Sequence, residues 1–101
     1  MNDKLKKWMG ELTDYECDQV AMLDAYFSTR SNLPGKSELS GKDLVLDSKT
    51  TYDIIDDLRP MVDIDPTIAF KYVQLHGYKT MTCDDGTLTW AIWRDIDMTG
   101  L

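Results

Sequence analysis

Histidine occurs once in this 101-residue chain, as His76, and cysteine twice, as Cys17 and Cys83. That scarcity excludes much chemistry. A zinc or iron site wants cysteines and histidines at short spacing, and Cys17, His76 and Cys83 are not so arranged. Two cysteines far apart, with no export signal, do not make a disulfide framework; both read as reduced thiols acting as small apolar side chains. No glycine-rich phosphate loop is present, and no serine stands with a histidine and an acid as a nucleophile would need. The aspartate groups (Asp53/Asp56/Asp57, Asp63/Asp65, Asp84/Asp85) lack a calcium-loop pattern and read as solvated faces. The chain is expected to be no enzyme and to need no metal or cofactor.

Long apolar runs are missing too. Nothing approaches the roughly 20 residues of a membrane span, and the lysines at 4, 6 and 7 are followed by no apolar core of a signal peptide. One soluble cytoplasmic domain, without membrane contact, is the expectation from length and composition.

Positive charge is the remaining shortage. There are 11 Lys and Arg against 18 Asp and Glu, for a net charge of −7. Residues 1–49 hold seven basic and nine acidic side chains; residues 50–101 hold four (Arg59, Lys71, Lys79, Arg94) and nine. Such a chain repels nucleic-acid phosphate unless its few cations share one face.

What is present is a readable order of elements. Residues 3–9 suggest a short helix or arm stopped by Gly10. Thr13-Asp14-Tyr15-Glu16 is a capping box, flanked by Leu12 and Cys17 at staple positions. A helix over 14–29 follows, with Val20, Leu23 and Phe27 on its inner face. Residues 31–42 read as a polar loop, 44–46 as a short strand, and 51–58 as a helix closed by Arg59-Pro60. Asp65-Pro66 then starts a helix over 66–76, and Gly77 ends it.

The last third predicts a hairpin, Tyr78–Cys83 with Thr87–Arg94, about a two-residue Asp85-Gly86 type I′ turn. That register pairs Cys83 with Leu88, Met81 with Trp90 and Lys79 with Ile92 on an apolar face. Thr82 with Thr89, Thr80 with Ala91, and Tyr78 with Trp93 fall on the other face. Trp90 is expected in the core. Trp93 is either covered by residues 1–10 or the tail 95–101, or left with Tyr78 as an aromatic anchor at a protein interface.

The order helix, strand, helix, helix, strand, turn, strand, with Asp65-Pro66, Leu75-His76-Gly77-Tyr78, Asp85-Gly86 and Trp90, resembles a winged helix-turn-helix domain. It is also similar to small winged-helix accessory proteins of phages and mobile elements. The resemblance implies an α+β winged-helix-like core over 13–94 in a single domain. It puts helix 66–76 in the recognition position, with Thr67, Phe70, Lys71 and Gln74 outward and Lys79 on the wing. That helix offers one Lys and one Gln, and Asp84-Asp85 occupy the wing tip, where DNA readers use cations. The favoured expectation is therefore a non-enzymatic binding or adaptor protein, working by protein contact or as a homodimer through Tyr78, Thr80, Thr82, Thr89 and Trp93. A DNA-binding transcriptional regulator is the alternative, disfavoured by charge. An acidic phage-type inhibitor or DNA mimic is the third.

Overall fold

Three of the helix starts are written in side chains. In the computed structural model, which describes residues 3–38 and 40–95, Thr13 accepts from the Glu16 amide at 3.2 Å and Glu16 returns the bond from the Thr13 amide at 2.9 Å. Thr50 and Asp53 make the same reciprocal pair, each at 3.0 Å. Asp65 accepts from the Thr67 amide at 2.8 Å, with Pro66 as the first helical residue.

After α1 (Asp3–Gly10), these caps open α2 (Asp14–Phe27), α3 (Thr51–Leu58) and α4 (Pro66–Leu75). The strands are β1 (Arg30–Ser31), β2 (Val45–Leu46), β3 (Thr80–Thr82), β4 (Leu88–Trp90) and β5 (Trp93–Arg94). The described residues thus form a small α+β domain of four helices and a few short antiparallel strands. No helix among them is long and apolar enough to cross a membrane. Of the tail expected at 95–101, residues 96–101 lie outside the described residues.

Helix α4 packs on both α2 and α3. The core between them is Val20, Leu23 and Phe27 from α2, Ile54, Ile55 and Leu58 from α3, and Ile68, Ala69, Tyr72 and Val73 from α4. Tyr78, Trp90 and Ile92 close it from the strand side. Burying an apolar side chain of this size contributes roughly 1.5–3 kcal/mol. Helix α1 buries Leu5 and rests Trp8 and Met9 on the core, in contact with α4.

Gly77 ends α4 at φ +81°, the left-handed conformation that costs other residues energy. A Cβ there would lie 3.0 Å from the Asn32 amide nitrogen, which donates to the His76 carbonyl at 3.1 Å. Gly77→Ala is expected to lose roughly 1–2 kcal/mol in thermal unfolding. A loss well under that would mean the turn relaxes freely.

The hairpin differs from its expected register. A type I′ turn needs positive φ at both Asp85 and Gly86, and only Gly86 has it, at +87°. Instead the Gly86 amide donates to the Cys83 carbonyl at 2.9 Å and the Cys83 amide to the Thr87 carbonyl at 2.8 Å. Asp85 accepts from the Thr87 amide at 2.9 Å. This is a three-residue loop, a tight turn followed by a left-handed glycine. The extra loop residue slides the pairing by one: Thr80 opposes Trp90, Met81 opposes Thr89 and Thr82 opposes Leu88. Because side chains alternate with period two, one strand's faces are exchanged relative to expectation.

The expected single strand Thr87–Arg94 also divides. Ala91 still donates to the Lys79 carbonyl at 2.8 Å, but the Ile92 carbonyl accepts from Asp47 at 2.7 Å. From there the chain leaves β3 and enters a second sheet, ordered β1-β5-β2. Strand β1 falls at the start of the stretch read as loop, and α2 stops at Phe27 rather than near Arg30. The Ser40 hydroxyl donates to the buried Asp95 carboxylate, tying the following loop to the end of β5.

Candidate functional site

The five hairpin residues expected to share an interface are separated. Tyr78 is buried, its ring 5.0 Å from Phe27, and burial pushes its hydroxyl up to about 12. Thr89 is buried opposite Met81, with its hydroxyl 3.6 Å from Cys83 Sγ. Trp93 is half-buried in the other sheet, opposite Ser31 and Leu46. Thr80 and Thr82 alone remain exposed on a common face, now with Trp90 and Leu88. The one-residue slip and the strand break together dissolve the patch.

The residues expected on a recognition helix and wing fare differently: Thr67, Phe70, Lys71, Gln74 and Lys79 are all exposed. Phe70 stands 48% exposed with its ring 5.4 Å from that of Trp90. Trp90 is itself fixed, its indole N–H donating to Thr51 Oγ1 at 3.0 Å and its backbone exchanging hydrogen bonds with Lys49. Beside Phe70, Tyr52 on α3 is 64% exposed. Thr51, Tyr52, Pro66, Thr67 and Phe70 line a cleft of about 330 Å³ between α3 and the start of α4. Leu88, also exposed, stands two residues from Trp90 on the same hairpin face.

Tyr52 was not singled out from sequence. Its neighbours Ile54, Ile55 and Leu58 define the buried stripe of α3, which leaves Tyr52 outward, and an aromatic on the outward side of an amphipathic helix was the available signal.

A polar cluster joins α2, α3 and the strands. The Tyr26 hydroxyl donates to Asp57 at 2.6 Å, and Lys49 Nζ lies 3.0 Å from the same carboxylate. Asp47 is held by Arg94 Nε at 3.1 Å and by Lys49 at 3.9 Å. Arg30 lies 3.8 Å above the Tyr26 ring and donates to its carbonyl. On α4 the Tyr72 hydroxyl donates to Asp24 at 2.5 Å. Burial, then the hydrogen bond to Asp57, pushes the Tyr26 hydroxyl up; burial, then the bond to Asp24, does the same for Tyr72. Burial works against the Asp57 charge, but the Tyr26 hydroxyl and Lys49 outweigh it and hold the carboxyl below its ordinary value. The Tyr26–Asp57 and Tyr72–Asp24 hydrogen bonds join α2 to α3 and α2 to α4, so these pairs act as clamps between helices.

Among the described residues no group of three or more His, Cys, Asp or Glu is placed to hold a metal ion. His76 caps α4, with Nδ1 3.0 Å from the Tyr72 carbonyl and its ring stacked 3.9 Å from that of Tyr72. Comparison of the chain with protein-family models, with curated proteins and with solved structures finds no match.

Proposed function

We propose that this chain is a non-enzymatic binding protein with a winged-helix-like arrangement, acting through protein contact at the face made by α3, α4 and the β3–β4 hairpin. The observation that carries the reading is the pair Tyr52 and Phe70, both exposed and lining one cleft, with Phe70 on the helix where a nucleic-acid reader would place cations. Aromatic side chains partly held by packing are the usual anchors of protein interfaces. The winged-helix reading draws support from β2, which lies between α2 and α3 and pairs with β5, the continuation of the hairpin. The Lys49–Trp90 bridge extends that contact into the hairpin itself.

Charge supports protein over nucleic acid. Lys71 and Lys79 are exposed, but the hairpin tip is Asp84-Asp85, and two cations release few counterions. Duplex binding at physiological salt is therefore expected to be weaker than about 100 µM, at the bottom of the ordinary non-specific range, by fluorescence anisotropy. A displayed random-peptide library tests the protein-contact reading directly. Peptides selected on the wild-type domain should lose binding to Tyr52→Ser/Phe70→Ser. Equal binding to that variant, or micromolar duplex binding abolished by Lys71→Glu/Lys79→Glu, would overturn the reading.

A further inference from the structure

We infer that the cleft between α3 and α4 receives a basic protein segment bearing an apolar anchor; this rests on the protein-contact reading of the same face. The cleft supplies the anchor's pocket, lined by Thr51, Tyr52, Pro66, Thr67 and Phe70. Phe70 leans on Trp90, so its orientation is set before a partner arrives and little ordering is left for binding to oppose.

The rim sets the partner's charge. Residues 51–71, which span the lining of the cleft, contain five aspartates and two cations, Arg59 and the exposed Lys71. Arg59 pairs with Asp56 at 2.8 Å, so these two charges offset each other and the acidic excess rests on Asp53, Asp63 and Asp65. Asp53, Asp56, Asp63 and Asp65 are all exposed. Asp53 follows the lining residue Tyr52 directly, Asp56 stands one helical turn beyond it, and Asp65, two residues after Asp63, immediately precedes the lining residue Pro66. Asp53 and Asp65 also accept backbone hydrogen bonds as caps, which uses their lone pairs and leaves their charge in place. An acidic rim around exposed aromatic faces attracts Lys and Arg by both Coulomb and cation–π terms. The same rim repels nucleic acid and opposes a second copy of a chain of net charge −7.

Two fluorescein-labelled synthetic 14-residue peptides, each with one central leucine, test this by anisotropy at low salt. One is flanked by Lys and Arg, and the other has Glu at every basic position. The basic peptide should bind about tenfold or more tighter, with the preference fading as salt screens the rim. Asp56→Lys/Asp63→Lys should erase the preference, and Tyr52→Ser/Phe70→Ser should weaken both peptides. These four side chains are exposed, and circular dichroism confirms each variant's fold before titration. Equal binding of the acidic peptide, still lost in the serine variant, overturns the basic partner and leaves the face intact. Basic-peptide binding that survives the serine variant overturns the face as well. No binding of either peptide overturns the basic partner, and the display selection above then decides the face on its own.

Discussion

Tyr72→Ala should lose roughly 3–5 kcal/mol of stability, the range for truncating a buried aromatic. The ring is 2% exposed, stacked 5.6 Å from Phe27 and 3.9 Å from His76, and its hydroxyl is tied to Asp24. Truncation opens a cavity where α2, α4 and the cap of α4 meet. A domain of this size has about 5–15 kcal/mol in total, so much of the variant's margin would be gone. Tyr72→Phe keeps the ring and loses the bond to Asp24, for about 1 kcal/mol. Chemical denaturation of both variants separates packing from hydrogen bonding. A Phe variant as unstable as the Ala variant would mean the polar clamp, and not the ring, holds the helices.

Alkali should unfold the protein cooperatively between about pH 10 and 12. Tyr26, Tyr72 and Tyr78 are buried and their hydroxyls are pushed up from the ordinary tyrosine value, Tyr78 to about 12. A group whose folded pKa is raised contributes its stability in full below the unfolded pKa, near 10, and loses it as pH climbs toward the folded value. Each such tyrosine withdraws about 1.4 kcal/mol per pH unit in that window. Three together consume a marginal stability within roughly two units. Tyrosinate absorbance from these rings should therefore appear in step with the loss of helical circular dichroism. Ionisation of all five tyrosines with the helical signal intact would show that the rings are accessible and the clamps dispensable.

The local signals were legible where one residue type does one job. Thr13 with Glu16, Asp65 with Pro66, and Gly77 set helix ends that the structure reproduces within a residue or two. The inner face of α2, Val20, Leu23 and Phe27, followed from spacing alone, and Trp90 is buried as expected. What failed was the hairpin, where two solutions compete. Asp-Gly suits a type I′ turn, yet Asp85 keeps negative φ and spends its carboxylate on the Thr87 amide, which favours the longer loop. That choice moves every pairing by one and dissolves the expected Tyr78–Trp93 surface.

The rest was illegible because it depends on tertiary geometry. Nothing local says that the chain changes sheets at Ala91-Ile92, or that Arg30 pairs with Arg94 across 64 positions. Asp57 looked like part of a solvated acidic run, yet it joins Tyr26 and Lys49. The face that matters was half visible. The winged-helix resemblance implies an outward Phe70, whereas Tyr52 acquires meaning only once α3 and α4 are packed together.

The most direct test is amide and indole mapping of isotopically labelled protein by two-dimensional NMR during titration with the basic leucine peptide. The indole N–H of Trp90, donated to Thr51 beneath Phe70, is a built-in reporter. Shifts concentrated at Thr51, Tyr52, Thr67 and Phe70, together with that indole signal, are the predicted result. Shifts at Ser31, Leu46 and Trp93 instead, with the Trp90 indole unmoved, would contradict the account.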